Sequence, residues 1–302
     1  MRDHEQRRVV TVGLLLGALA WLGGCASRSA PEPAATNRPE QLLAITQEHE
    51  LIRFKAGQPQ RVVSRQALKG LTANERVVGM DFRVARGVLY VLTDQGQLYT
   101  ADPASGKLTP VGAGAGNNQG PALKGQTVGV DFNPVADRIR VVTASGQNWR
   151  LHPDTGAWVD ADAAKEGVQG DGALAYAADD THAASTPMVG AAAYTYNKDN
   201  DKLTTNYAID LVGVRLVMQG SREGGAPVVS PNTGKLRTVG ALGVSRVKEV
   251  AFDIADMNNA ALAALGDGRR TRLYQVDLRT GSASLLGTVG DGTPLLGMAV
   301  EP

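Results

Sequence analysis

Three arginines in one short stretch of the 302-residue sequence have a spacing that can gather guanidinium groups on a single surface. Arg138 and Arg140 lie two apart, and so do Asn148 and Arg150 just beyond Gly146-Gln147. Side chains two apart on an extended strand share a face, so a hairpin here would collect all four. Ile139, Val141, Trp149 and Leu151 would then supply an apolar opposite face. Guanidiniums this close require carboxylates, from the protein or from a ligand. Asp131, Asp137 and Asp154 are near enough in sequence to serve, which would make the cluster a structural network. The alternative is a patch that binds anions or carboxylates through arginine forks. The candidate cluster, structural or binding, is Asp131, Asn133, Arg138, Arg140, Gln147, Asn148 and Arg150.

Other chemistry is weaker. Asp81, Asp131 and Asp253 occupy the same position in an internal repeat, a pattern that suits satisfying backbone donors in a turn better than ligating a central metal. Residues 197–201 (NKDND) alternate oxygen donors but lack the Gly and bidentate Glu of a calcium loop, so they read as the polar tip of a hairpin. His49, His152 and His182 have no i, i+4 partner, and the single cysteine leaves no disulfide framework or zinc spacing. No G-x-S-x-G occurs, and the Gly-rich residues 114–125 lack the strand-then-helix context of a phosphate loop. No catalytic set, metal or cofactor is therefore assigned.

The elements that must position these residues come from a repeat of about fifty residues. Residues 79–106 align without a gap on residues 129–156, Asp81-Phe82 meeting Asp131-Phe132 and Gly96-Gln97 meeting Gly146-Gln147. A third copy begins at Ala251, and a divergent fourth opens on residues 191–194. Periodicity within a unit is two, in short runs bounded by Gly, Asp, Asn and Pro, so each unit reads as four antiparallel strands. The tetrads at 103–106, 153–156 and 231–234 run Pro to Gly and fit a turn whose last residue is left-handed. Residues 42–55 align with residues 89–102, so the chain after its leader begins with the second, third and fourth strands of a unit and lacks the first, and residues 295–300 match a first strand with nothing after it. The two fragments complete each other. The expected fold is all-β: a five-bladed β-propeller over residues 41–302, closed by one blade built from both ends. The segment 161–187 holds one strand-like run, at 173–178, too little for a sixth blade.

Composition agrees, with 36 Gly, 5% aromatic and 20% charged residues. These values disfavour a helix bundle or an acidic disordered chain. A net charge of +1 gives no footprint for nucleic acid. The first eight residues carry Arg2, Arg7 and Arg8, and residues 9–22 are apolar, which is short of the roughly 20 a spanning helix needs. The run ends Leu22-Gly23-Gly24-Cys25-Ala26, which resembles the lipobox of bacterial lipoproteins. That resemblance implies a signal peptide at 1–24, lipidation of Cys25, and, from Ala26, an outer-membrane address facing the periplasm. Cleavage there would leave a formally neutral chain whose only thiol is acylated. Residues 25–40, with Pro31, Pro33 and Pro39, read as the lipidated cysteine and a flexible tether.

The run 129–142 (GVDFNPVADRIRVV), followed by residues 146–150 and 152–156, resembles the signature of domain of unknown function family 4394; residues 191–195, 239–243 and 251–254 are similar to it as well. The resemblance implies an exported bacterial propeller-like domain and brings no catalytic residues. Two functions follow as expectations. The first is a lipid-anchored, non-catalytic module that binds a small molecule, glycan or envelope protein. The second is a propeller enzyme, a hydrolase, lactonase or lyase, with a site assembled in the central channel.

Overall fold

The computed structural model describes residues 32–112, 120–123 and 127–302. The expected signal peptide, Cys25 and most of the Gly-rich stretch 114–125 lie outside the described residues. The chain forms five small sheets arranged as a five-bladed propeller. Blade 1 begins with β1 (Gln41–Thr46), β2 (Glu50–Lys55) and β3 (Gln58–Ala67). Blade 2 holds β4 (Val77–Arg83), β5 (Val88–Thr93), β6 (Leu98–Ala101) and β7 (Leu108–Pro110). Blade 3 holds β8 (Val128–Asn133), β9 (Arg138–Thr143) and β10 (Asn148–Leu151). After β11 (Ala175–Tyr176), blade 4 holds β12 (Val189–Tyr194), β13 (Asn206–Asp210), β14 (Arg215–Gln219) and β15 (Lys235–Ala241). Blade 5 holds β16 (Glu249–Ile254), β17 (Ala261–Gly266), β18 (Thr271–Val276) and β19 (Ala283–Thr288). Finally β20 (Leu295–Val300) returns to blade 1 as its innermost strand, antiparallel to β1, with Leu42 opposite Val300 and Ala44 opposite Met298. The ring thus closes without an exposed inner edge, as the complementary end fragments require.

Alternating apolar faces make each blade a two-sided sheet, and the blades stack through five separate apolar clusters, one per interface. The turns that return each third strand to its fourth place Gly106, Gly156 and Gly234 at φ of 71°, 67° and 70°. Only glycine takes that conformation at little cost, which is why the Pro-to-Gly tetrads recur.

Three expectations are corrected. The 129–156 unit has three strands, not four: its last strand is reduced to a bridge between Leu151 and Trp158. Trp158 instead packs edge-on against Trp149, ring centroids 5.8 Å apart, and caps the apolar cluster between blades 2 and 3. The strand-like run at 173–178 is not idle linker, because β11 pairs in parallel with β15 and widens blade 4 to five strands. Residues 32–40 are not a free tether. Thr288 donates its backbone N–H to Glu32 at 2.8 Å, Thr36 donates to the Gly57 carbonyl at 2.9 Å, and Arg38 donates to Gln275 at 2.6 Å. The segment has few apolar side chains to bury, so these polar contacts strap it across blades 1 and 5.

Candidate functional site

The innermost strands β4, β8, β12, β16 and β20 surround the axis, and their sequences explain how closely they approach. Gly79, Gly129, Ala191, Ala251 and Gly297 share one position, and the space they line is about 20 Å3, room for about one water. A Cβ on Gly129 would sit 2.7 Å from the Ala192 amide nitrogen, and one on Gly297 would sit 2.9 Å from Met80. Glycine is needed at these points because backbone and side chain of the next blade occupy the room.

Two residues further along each strand the same position is Asp81 in β4, Asp131 in β8 and Asp253 in β16, with Ala193 and Ala299 completing the level. All three carboxyls are buried, and oxygens from the three lie within 4.8 Å of one another. Each reaches the next blade and accepts a backbone N–H there: Asp81 from Phe132 at 2.7 Å, Asp131 from Tyr194 at 2.9 Å, Asp253 from Val300 at 2.6 Å. The recurrence therefore does serve backbone donors, across blade interfaces rather than within turns. Burial drives all three pKa values up. Asp253 reaches about 7, with repulsion from Asp256 adding to burial; Asp81 is pushed well above the ordinary range by burial and the charge of Asp253, and Asp131 by burial and the charges of Asp81 and Asp253. The Tyr196 hydroxyl is held protonated by burial and by the same carboxyls. Among the described residues this is the constellation nearest to a metal-type geometry, but each carboxyl already spends an oxygen on a backbone donor.

Where the innermost strands begin, a cleft of about 460 Å3 opens, with Arg76, Lys248, Asp94 and Glu249 around a floor of Val78, Val128 and Leu296. Nearby, burial and the charge of Arg76 lower the pKa of His49.

The arginine cluster lies away from the axis, between blades 3 and 4. Register places Arg140 opposite Arg150 and Asn133 opposite Arg138, so the shared face expected from period two is present. Arg140 is 2% exposed and donates to Asp171 at 2.6 Å, Asn148 at 2.8 Å, Asn232 at 2.6 Å and the Tyr194 hydroxyl at 3.2 Å. Burial opposes its charge, but Tyr194 and Asp171 outweigh burial and hold its pKa above the ordinary arginine value. Arg150 forks onto the same Asp171 at 2.8 and 2.7 Å. Asn148 also accepts from Gln219 at 3.0 Å. Arg138 donates to the Asp137 carbonyl at 2.8 Å. Asn133 accepts from the Val135 and Ala136 amides and so shapes the turn beside the cluster.

Two of the seven candidates fall elsewhere. Asp131 turns to the axis, and Gln147 closes the β9–β10 turn against Thr143. The carboxylate that pairs the arginines is also not one suggested by sequence proximity. Asp137 and Asp154 instead bind Arg83, which reaches over from blade 2. Asp171, Tyr194, Asn232 and Gln219 were missed. Asp171 lies in a segment outside the repeat, and Asn232 lies in a tetrad legible only as a turn.

The family described as domain of unknown function (DUF4394) matches residues 50–299. The chain belongs to that family. None of the curated proteins compared matches it. Among solved structures, the chain is similar to one titled as the nidogen/laminin complex, at 11% identity and a TM-score of 0.46, covering 87% of this chain and 98% of that one. It is also similar to a structure from Bacteroides uniformis ATCC 8492 titled as a putative 6-phosphogluconolactonase, at 17% identity and a TM-score of 0.39, covering 88% and 72%. For this DUF4394 propeller the family name carries no activity.

Proposed function

We propose that this DUF4394 propeller is a lipid-anchored protein of the bacterial envelope, on the outer membrane facing the periplasm, that works as a non-catalytic ligand- or protein-binding module. The observation that carries the binding reading is the state of the axis. A propeller enzyme assembles its reacting groups in a channel, whereas here the innermost strands leave about 20 Å3 and the converging carboxyls are committed to the blades themselves. Room for a ligand is found instead at the mouth and between blades.

The anchoring half rests on Cys25 in its lipobox-like context. Cys25→Ser should abolish incorporation of labelled fatty acid and release the protein from membranes; unchanged partitioning would refute it. For the binding half, the detergent-solubilised full chain is offered panels of lactones, esters and uronides while product formation is followed. Turnover that survives repurification and scales with protein would overturn the non-catalytic reading.

A further inference from the structure

We propose that the cavity between blades 3 and 4 is a binding site for a small dianion, an inorganic phosphate or a short dicarboxylate, held by Arg138 and Arg150 against a fixed Arg140. The cavity is about 150 Å3 and is walled by Asn133, Arg138, Arg140, Arg150, Tyr194 and Asn232. That is room for one compact anion and too little for an oligosaccharide.

The charge balance is the first argument. Three guanidiniums face this space, and the carboxylate bound to them is Asp171, shared by Arg140 and Arg150. The nearby acids Asp137 and Asp154 are turned to Arg83. Arg138 is left with no carboxylate contact among the described residues, and the four arginines Arg83, Arg138, Arg140 and Arg150 face three aspartates, an excess of one positive charge. Hydrogen-bond capacity is the second. A guanidinium has five N–H donors. Arg150 spends two of them on Asp171 and Arg138 one on the Asp137 carbonyl, which leaves forks of the kind that match carboxylate and phosphate oxygens.

Pre-organisation is the third. Arg140 is buried and held by four partners, so its charge is already in place and little ordering entropy is lost when an anion arrives. The fourth argument comes from the sister blade. The equivalents of Arg138, Arg140 and Arg150 in the 79–106 unit are Val88, Tyr90 and Thr100, so a blade of this protein needs no arginine at those positions. The interface that carries them also has the smallest apolar cluster of the five, eight buried residues against eleven to fifteen elsewhere. Packing is given up here for charge.

The proposal rests on the binding-module reading but is tested apart from it, because turnover would refute that reading while leaving this site in place. The detergent-solubilised full chain is titrated with inorganic phosphate, malonate and succinate, and with chloride and acetate at matched ionic strength, by calorimetry and thermal melting. A saturable, single-site rise in melting temperature with phosphate or with a dicarboxylate, and not with the monoanions, is expected. Whichever arm binds identifies the source. Arg138→Gln should weaken that binding at least tenfold while leaving the ligand-free melt unchanged, and Arg150→Gln should weaken it similarly, so that a folding failure in one leaves the other to decide. Arg237→Gln, which removes the same charge from an exposed pair with Asp179, should bind as the wild type does. No saturable response to either dianion, an equal response to chloride, or undiminished binding in the folded arginine variants would overturn the proposal.

Discussion

Replacing Asp131 by Asn should flatten the dependence of stability on pH. Asp131 converges with Asp81 and Asp253 at the axis, and the charge and dipole groups facing the three are Tyr196, Asp256 and the backbone N–H groups whose hydrogen bonds they accept, with only alanines from β12 and β20. A carboxyl whose pKa is higher in the folded than in the unfolded chain binds its proton more tightly in the native state. Its stabilising contribution is complete below the unfolded value near 4 and drains away as pH rises through the folded value. For Asp253 the folded value is about 7, against about 3.9 unfolded, so three units at 1.36 kcal/mol each make roughly 4 kcal/mol lost between pH 4 and pH 8. Asp81 and Asp131 shift in the same direction and deepen the loss. An asparagine keeps an oxygen for the Tyr194 N–H and removes one titrating carboxyl from the group. Urea denaturation of wild type and Asp131→Asn in EDTA, from pH 4.5 to 8.5, measures the effect. The wild type should lose several kcal/mol across that span, the variant distinctly less, and the variant should be the more stable above pH 8. A wild type whose stability is flat or rises over this range, or a variant that falls as steeply, would refute the reasoning.

Arg140→Met should cost about 3 kcal/mol in denaturant unfolding, because Asp171 would keep only the part-exposed Arg150 and three amide or hydroxyl partners would lose their donor; a loss under 1 kcal/mol would show that the network adds little to the fold. Truncation after Pro294 removes β20 and exposes the inner edge of β1, so the product should aggregate or melt without cooperativity, and a soluble, sharply melting product would count against closure. Gly129→Val should be among the most damaging single substitutions in the ring, at least 2 kcal/mol, because its Cβ meets the backbone of β12 rather than a side chain that can move. Near-wild-type melting of that variant would show that the inner strands have slack.

The ring was legible because propeller repeats are written locally. Gly106, Gly156 and Gly234 mark turns that glycine alone makes cheaply, and the two end fragments carry strand patterns that nothing else completes. The axial carboxyls were half legible. Their recurrence shows in the sequence, but convergence depends on wrapping five strands around an axis, which no local spacing encodes. The shared face of Arg138, Arg140, Asn148 and Arg150 followed from period two, whereas Asp171 did not, since it comes from a non-repeating segment brought in by the loop that replaces the missing fourth strand of blade 3.

Closure by β20 also fixes an order of events in time. β1 and β20 are partners at opposite extremes of the ring's sequence, Leu42 opposite Val300, so their pairing closes the longest loop the domain contains. Synthesis proceeds from the N-terminal side, so blades 2 to 5 can form and stack while blade 1 still lacks its innermost strand. Until then two interfaces stand open at once, one face of blade 2 and one of blade 5, and Asp253 has no Val300 N–H to accept. The nascent propeller is therefore most vulnerable to misassociation just before β20 joins the ring, when nearly all of its apolar surface exists and that six-residue strand has yet to seal it.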